Sequence, residues 1–313
     1  MAIAWLYSTV KKNMKKLVVV YNPRSSKYGK VRTEVLDVAR KLKGWAVGKY
    51  EVQPGSVDEN AKNLAKILCD GDLVVSAGGD GTATIALNGI MLSKKDAEIA
   101  VLPYGNFNDF AKTFRVKNLN DAIKAKTVKI WPIEAKVDGK HWRFAAGYFT
   151  LGLFAESCEV FDHEKTRKAL QKGNKTNVYS WITLAKWYFG NRKKRVFLPK
   201  FKLNGKAMSK KTTDLVAING KRMAGVMRGG NWYLGEKKFN LATAELRSFG
   251  NLFTLMARSI LWKVPGEAVD EVVIEFEKPA DFEMQAEGEY MRFGGVKKVE
   301  IRKAEKCLKV RSC

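Results

Sequence analysis

The chain has 313 residues and a formal net charge of +25, from 57 Lys and Arg against 32 Asp and Glu. Its 46% hydrophobic content argues against long disorder. The four scattered cysteines argue against a disulfide framework, and the presence of only two histidines argues against a histidine-rich metal site and a Ser–His–Asp triad. The charge favours an anionic partner, such as nucleic acid, an anionic membrane or a phosphorylated small molecule, although a generally basic proteome would also explain it.

The N-terminal part of the sequence alternates between strand and helix patterns. Residues 1–15 are interpreted as an extension. Strands are predicted at 16–22, 44–52, 72–79 and 98–105, with helices at 29–42, 57–69 and 82–92. This alternation predicts an α/β domain with a parallel sheet over 16–127, in which ligands bind at the carboxyl ends of the strands.

From residue 128 the pattern changes to short segments with period-two alternation, which predict a β-rich, antiparallel, sandwich-like second domain over 128–295. Two helical pieces, 180–189 and 251–264, interrupt these strands. Residues 296–313 are interpreted as a C-terminal segment that could return to the first domain. No apolar run approaches the roughly 18–20 residues of a membrane-spanning helix, so we do not expect the protein to span a membrane. A chain of this length does not need disulfides to fold, so we expect reduced cysteines in a cytoplasmic protein.

Three polar turns follow predicted strands of the first domain. The sharpest is Gly78-Gly79-Asp80-Gly81-Thr82, between an apolar strand and a helix. Glycines let the backbone approach a polyphosphate closely, and the following helix N-terminus attracts anions. The alternative is an ordinary strand-to-helix turn in which Asp80 caps a helix.

The other two turns are N-P-R-S-S-K-Y-G-K at 22–30 and L-P-Y-G-N-F-N-D-F-A at 102–111. Taken alone, the first would be interpreted as a solvated loop before a helix. Because the carboxyl ends of parallel strands share one edge of the sheet, all three turns together predict a phosphate-binding site.

The order and spacing of these motifs resemble the catalytic domain shared by diacylglycerol kinases, sphingosine kinases and bacterial lipid kinases. Asn88-Gly89 falls where that family has its own N-G pair. The resemblance continues more weakly through 147–156, Asn219-Gly220 and the E-G-E sequence at 287–289. It implies an ATP-dependent lipid kinase that uses Mg²⁺, with a lipid hydroxyl as acceptor.

The resemblance also implies roles for individual residues. Asp80 and Glu287 are the catalytic candidates, with Glu287 as the base that takes the proton from the lipid hydroxyl. Glu289 would be its neighbour or an indirect Mg²⁺ contact. The candidate ATP-binding residues are Asn22, Ser26, Lys30, Gly78, Gly79, Asp80, Gly81, Thr82, Asn106, Asn108 and Asp109, where Asn106 replaces the usual Thr.

One departure from the family concerns a metal. Bacterial relatives often carry an acidic L-D-D-G-L loop that holds a structural Mg²⁺. The corresponding stretch here is L-G-E-K-K-F at 234–239, which leaves Glu236 as the one acidic candidate ligand. Two lysines among the expected ligands argue against the usual site.

A basic aromatic stretch at 165–211 contains 15 Lys and Arg and no Asp or Glu. This composition predicts a surface that lies on anionic lipid, at the inner face of the membrane. The alternative is a core helix with solvated lysines.

Two other functions stay open at the level of the sequence. An NAD kinase would share the G-G-D-G-T turn, and a basic protein of this kind could bind nucleic acid. No nucleic-acid-binding motif is present, so nucleic acid is not the expected partner. The sequence does not predict the oligomeric state.

Overall fold

The computed structural model describes residues 15–106, 108–156, 182, 185–190, 198–208, 212–223, 227–228, 234–245, 250–251, 253–254, 257–258 and 266–313. Of the proposed extension at 1–15, residues 1–14 lie outside the described residues, while Lys15 is the first residue of a strand. Most of the basic aromatic stretch and most of the predicted helix at 251–264 also lie outside. The chain divides into two compact units, one reaching to Ile130 and including Lys306–Cys313, the other spanning Trp131–Glu305. The sequence analysis placed the corresponding boundaries at 128 and 296.

The first unit is built on a six-stranded sheet. Its strands are β1 (Lys15–Tyr21), β2 (Trp45–Glu51), β3 (Leu73–Gly78), β4 (Glu98–Pro103), β5 (Lys126–Ile130) and β18 (Leu308–Ser312). They lie in the order β2-β1-β3-β4-β18-β5, and every neighbouring pair is parallel except β18 with β5. The mostly parallel α/β sheet expected from the sequence is therefore confirmed.

The helices of this unit connect the strands. They are α1 (Tyr28–Val31), a π-helical turn (Arg32–Leu36), α2 (Asp37–Ala39), α3 (Val57–Ala65), α4 (Asp80–Ser93), α5 (Asp109–Phe114) and α6 (Leu119–Lys124). Ser56 is the N-cap of α3, and its hydroxyl and the Glu59 carboxylate form a reciprocal capping box. The apolar runs of β1, β3 and β4 are buried on both faces, as expected for a parallel sheet covered by helices.

The second unit consists mainly of one ten-stranded antiparallel sheet. Its strands are β6 (Ile133–Val137), β7 (Lys140–Ala145), β8 (Tyr148–Gly152), β9 (Phe201–Leu203), β10 (Lys206–Ala207), β11 (Asp214–Ile218), β14 (Phe239–Ala244), β15 (Glu267–Val269), β16 (Glu271–Ala286) and β17 (Glu289–Lys303). The main path runs β15-β14-β11-β8-β16-β17-β6-β7, and β12 (Arg222–Met223) pairs with β13 (Met227–Arg228) separately. This confirms the β-rich second domain.

Long strands β16 and β17 form the hairpin at the centre of this sheet. Their pairing is interrupted by register shifts between Glu275 and Ala280 and between Ala280 and Phe282. Such bulges bend a strand and increase its twist. The bent sheet encloses a core that includes the fully buried rings of Phe149, Phe201 and Phe282.

Candidate functional site

The glycine turn at 78–82 joins β3 to α4. Gly79 is the N-cap of this 14-residue helix, and a Cβ on Gly78 would lie 2.3 Å from Oγ1 of Thr82. A Cβ on Gly105 would lie 2.4 Å from Cα of Gly79, so the glycine turn and the turn after β4 touch backbone to backbone. The first amides of α4 have no partner within the helix and are available to an anion.

Asp80 connects these two turns. Its carboxylate oxygens accept the backbone N–H groups of Asn108 and Asp109, each at 2.9 Å, and so cap the start of α5. Burial, together with the charge of Asp109, raises the pKa of Asp80 to about 6, although the backbone donors oppose this rise. The sequence analysis considered a capping role for Asp80. The structure shows that the capped helix is α5 and not the helix on which Asp80 lies.

Asn108 stabilises the turn after β4 from within. Its backbone is left-handed, with φ of 55°, a conformation that asparagine tolerates better than most residues. Its side chain accepts the N–H of Gly105 at 2.6 Å and donates to the Gly105 carbonyl at 2.7 Å. Asn108 and Asp109 are buried, whereas Asn106 is exposed.

The turn after β1 reaches the same edge through a lysine. Asn22 lies directly after β1, where its side chain accepts the N–H of Arg24. Lys27 Nζ donates to the Gly105 carbonyl at 2.8 Å, which joins this turn to the one after β4. Ser26 and Lys30 are both exposed, so their side chains point to solvent and away from the buried Asp80.

Sequence reasoning missed two residues of this turn. Lys27 makes the contact just described, and the buried Ser25 hydroxyl has no hydrogen-bond partner among the described residues. The only sequence signal for Ser25 was its place in the N-P-x-S motif. Side-chain direction distinguishes it from its exposed neighbour Ser26.

Asn88-Gly89, which the resemblance singled out, lies inside α4. A Cβ on Gly89 would be 2.7 Å from the Leu64 side chain, so glycine allows α4 to pack closely on α3. Asn88 is buried and donates to the Thr84 carbonyl one turn earlier. This pair stabilises the packing behind the turns.

Glu287 and Gly288 form the two-residue loop between β16 and β17 in the second unit. Their φ angles are 53° and 88°, the combination found in type I′ hairpin turns, in which Asn-Gly and Asp-Gly are preferred. The Glu287 carboxylate accepts the backbone N–H of Gly147, and a Cβ on Gly147 would lie 3.0 Å from the same carboxylate. Glu289 is half-buried at the start of β17.

The backbone around Gly147 is fixed by Asn219 and Gly220. Both residues donate their backbone N–H groups to the Gly147 carbonyl, at 2.6 and 2.9 Å. The buried Asn219 side chain also donates to the carbonyls of Ala146 and Trp131. Asn219-Gly220, a weak motif in the sequence, therefore lies next to the Glu287 turn.

Lys303, the last residue of β17, is buried beside Asn219. Its ammonium donates to the Trp131 carbonyl at 2.8 Å and to the Asn219 side-chain oxygen. Burial lowers the pKa of Lys303 to about 7, and the Glu236 carboxylate opposes this change. The sequence analysis did not select Lys303, because nothing in its local sequence shows that it is buried.

The residues of the first unit fit the phosphates of a nucleotide. Phosphate oxygens can accept hydrogen bonds from the amides at the start of α4 and from the buried Ser25 hydroxyl. The close contact of Gly105 with Gly79 brings the two turns together. Mg²⁺ is commonly held by the phosphates themselves and one or two carboxylates, a role open to Asp80 and Asp109.

The fit is poor at the 234–239 loop, where the sequence left Glu236 as the one candidate metal ligand. Glu236 is exposed, and the described residues contain no group of three His, Cys, Asp or Glu that could hold an ion.

Part of the basic aromatic stretch is described. Residues 185–190 are helical, with Tyr188 buried and Phe189 46% exposed. Tyr188 thus packs inside the unit and Phe189 faces outward, while contact of this stretch with anionic lipid stays a prediction. Among the described residues, no helix has the length and hydropathy needed to cross a membrane.

Comparison with known proteins extends this description. The profile of the diacylglycerol kinase catalytic domain matches residues 16–136. A diacylglycerol kinase from Staphylococcus carnosus (strain TM300) is 32% identical over 126 residues, 40% of each chain. A Staphylococcus aureus (strain MSSA476) protein provisionally named a lipid kinase is 30% identical over 175 residues, which cover 52% of this chain and 50% of its own. The chain thus spans half or less of the curated relatives that it matches.

Solved structures agree with the fold over nearly the whole chain. The crystal structure of a diacylglycerol kinase from Bacillus anthracis str. Sterne has a TM-score of 0.62 and 15% identity, and the match covers 97% of this chain and 98% of that one. At this identity the likeness concerns the fold alone. All three polar turns of the first unit lie within the segment that matches the family profile. The resemblance is thereby confirmed, and the chain is related to the diacylglycerol kinase catalytic-domain family through residues 16–136.

Proposed function

We propose that this chain is a lipid kinase that transfers the γ-phosphate of ATP to a hydroxyl group of a membrane lipid. The observation that carries this proposal is the bonded cluster of turns at the carboxyl ends of β1, β3 and β4. Asp80 joins two of these turns, and Lys27 joins the third. Such a cluster serves phosphate binding, and the family match supplies the class of reaction.

In this proposal the first unit binds ATP. The α4 amides from Gly79 to Thr82 contact phosphate oxygens, and Asp80 acts by holding Asn108 and Asp109 in place. Mg²⁺, when bound with the nucleotide, neutralises charge on the phosphates. Phosphoryl transfer has a loose transition state, so positioning and charge neutralisation matter more than the strength of a base.

The second unit supplies the base for the acceptor. Glu287 takes the proton of the lipid hydroxyl, the oxygen bonds to the γ-phosphorus, and the bond to the β-phosphate oxygen breaks to release ADP. The left-handed backbone of Glu287 supports this role, because a glutamate is costly at a position where Asn or Gly would be stable. Strain of this kind concentrates at functional residues.

The exposed Phe189, together with the many Lys and Arg in the sequence of this stretch, supports docking on an anionic membrane. Each lysine close to such a surface contributes about 1 kcal/mol. We propose that the basic aromatic stretch at 165–211 presents the enzyme to its lipid, as a peripheral contact on the cytoplasmic side.

The test is transfer of labelled γ-phosphate from Mg-ATP to a panel of hydroxyl lipids in anionic vesicles, with NAD as an additional acceptor. The panel contains diacylglycerol, phosphatidylglycerol, a polyprenol and a long-chain base. We expect one lipid class to be labelled by the wild type and not by a Glu287→Gln variant. Labelled NADP would indicate an NAD kinase. If no lipid is labelled and the chain binds nucleic acid without ATP, with an affinity that falls steeply with salt, a nucleic-acid-binding protein would be favoured.

A further inference from the structure

The loop at 234–239 lacks what a structural divalent cation needs. Glu236 is its one acidic residue, and the exposed Lys237 and Lys238 follow it directly. A hard cation such as Mg²⁺ requires several oxygen ligands at short range, and neighbouring ammonium groups repel it. The described part of the chain offers no carboxylate cluster at this loop.

The ammonium of Lys303 lies beside this loop. Its side chain is buried. It donates hydrogen bonds to two oxygens from different segments, the Trp131 carbonyl and the Asn219 side-chain oxygen. The backbone N–H of Trp131 donates to the Leu234 carbonyl at 2.8 Å, which connects the loop to the same group of hydrogen bonds. In its protonated form, Lys303 is a positive group with oxygen acceptors from two segments, which is the arrangement that a structural cation would provide.

We propose that Lys303 is an internal cation that replaces a structural metal in the second unit, which therefore binds no divalent ion at the 234–239 loop. A buried ammonium with satisfied acceptors links strand β17, the loop and Asn219 without any ligand from solution. Removing it would take the ammonium donor away from the buried Asn219 side-chain oxygen, which is costly, although the Asn219 amide would still donate to the Trp131 carbonyl.

The same contacts make Lys303 a positioning residue for Glu287, an extension that rests on the proposed function. Lys303 holds the Asn219 side chain, whose amide donates to the Ala146 carbonyl at 2.9 Å. The Asn219 backbone N–H holds the Gly147 carbonyl, and the Gly147 N–H holds the Glu287 carboxylate. A change at Lys303 therefore reaches Glu287 through one short path of hydrogen bonds.

The first experiment measures the metal content and the thermal stability of the nucleotide-free protein. We expect no stoichiometric Mg²⁺, Ca²⁺ or Mn²⁺ after gel filtration and the same melting temperature in EDTA and in excess Mg²⁺. A Glu236→Gln variant should retain the wild-type metal content and insensitivity to EDTA. One bound divalent ion per chain that is lost in Glu236→Gln, together with destabilisation by EDTA, would overturn the proposal. These readouts do not depend on kinase activity.

The second experiment removes the ammonium. Lys303→Ala should lower the melting temperature by roughly 5 °C, on the scale of a lost buried interaction in a domain of this size. Ethylammonium chloride, which can enter the vacated space, should restore part of this loss, whereas tetramethylammonium chloride at equal ionic strength should not. Lys297→Met, at an exposed position of the same strand, is the matched control and should melt like the wild type. Equal effects of both salts on Lys303→Ala would refute the replacement role.

The positioning role has its own readout. In Lys303→Ala, we expect kcat to fall about tenfold or more while the KM for ATP stays within about twofold, because a displaced base slows the transfer step. Ethylammonium should raise kcat again. If kcat and the KM for ATP change in proportion, or if kcat is unchanged, Lys303 does not position Glu287. An inactive wild type that passes the metal and melting tests would refute the proposed function and leave the internal cation standing.

Discussion

At the scale of single residues, Glu287 combines a strained backbone with an oriented carboxylate. Its positive φ costs about 1 kcal/mol or more relative to a residue that tolerates this conformation. The Gly147 N–H fixes the carboxylate, and glycine at 147 leaves room for it. The turn would be more stable with another residue, which supports the proposed role of Glu287 as the base.

Substitutions at Glu287 should separate stability from activity. Glu287→Asn should raise the melting temperature, because Asn-Gly is the preferred type I′ pair, while lipid phosphorylation is lost. Glu287→Gln should also lose phosphorylation but melt like the wild type. The measurements are a thermal melt and the labelled-phosphate assay, with ATP binding as a check on folding. Unchanged phosphorylation by either variant would remove Glu287 from the reaction.

Asp214 allows a prediction about pH. It is fully buried in β11, where it accepts the N–H of Phe154 and the hydroxyl of Thr213, and burial raises its pKa to about 7. Between its unfolded pKa and 7, the folded protein holds a proton that the unfolded chain has released. This group therefore reduces the free energy of unfolding as the pH rises through that window, by about 1.4 kcal/mol for each unit of upward pKa shift.

Asp214→Asn should remove that dependence. The asparagine oxygen can still accept from Phe154, and its amide can donate to the Thr213 hydroxyl, which already contacts the Ala244 carbonyl. We expect urea denaturation to show a smaller difference between pH 5 and pH 8 in the variant, and a variant more stable than the wild type at pH 8. Identical pH dependence of the two proteins would contradict the raised pKa.

At the scale of elements, contact between the turns after β3 and β4 supports the arrangement of the proposed phosphate site. Gly105→Ala should weaken ATP binding strongly, because its methyl group would displace the Gly79 backbone and the Asn108 side chain. Gly190→Ala is the matched control, since a Cβ there meets nothing within 4 Å. The measurement is ATP affinity by calorimetry together with a thermal melt. Normal ATP affinity in Gly105→Ala would contradict the arrangement of the two turns.

The sequence predicted the strands of the first unit because buried parallel strands read as apolar runs between glycines and helices. It was less informative in the second unit. The stretch 128–137 reads as one strand, yet it divides at Trp131-Pro132 into β5 of one sheet and β6 of the other. Conversely, Pro279 reads as a break, yet β16 continues through it because the proline lies where the ladder is already interrupted by a bulge.

The candidate site was predictable to the level of its turns. Glycines and polar residues after strands indicated where phosphate would bind, since this follows from the topology of a parallel sheet. Which side chains contact one another was not predictable. The Asp80 carboxylate binds amides 28 and 29 residues further along the chain, and Lys27 reaches a carbonyl 78 residues away.

At the scale of the whole molecule, the net charge of +25 can attract an anionic membrane in two ways. All the charges can act together, or one basic surface can make the contact. Among the described residues of the basic aromatic stretch, Lys186, Lys200, Lys202 and Lys206 are exposed. If this stretch contacts the membrane, the affinity for anionic vesicles should depend on where the lysines lie and not only on the total charge.

Two variants of equal charge can test this prediction. Replacing those four lysines by Gln should weaken binding to anionic vesicles by about tenfold or more, since each cation near the surface contributes about 1 kcal/mol. The control replaces four exposed lysines of the first unit, Lys41, Lys43, Lys62 and Lys66. We expect the control to bind vesicles like the wild type in a sedimentation assay. Equal weakening of both variants would show that total charge alone is responsible.

The position of β18 has a consequence for how the protein is made. Residues 308–312 lie between β4 and β5, so the sheet of the first unit is incomplete until they have left the ribosome. The whole second unit, 131–305, is synthesised before that moment. During translation the unit that begins first is therefore completed last, with an open strand edge that a chaperone would have to protect from aggregation.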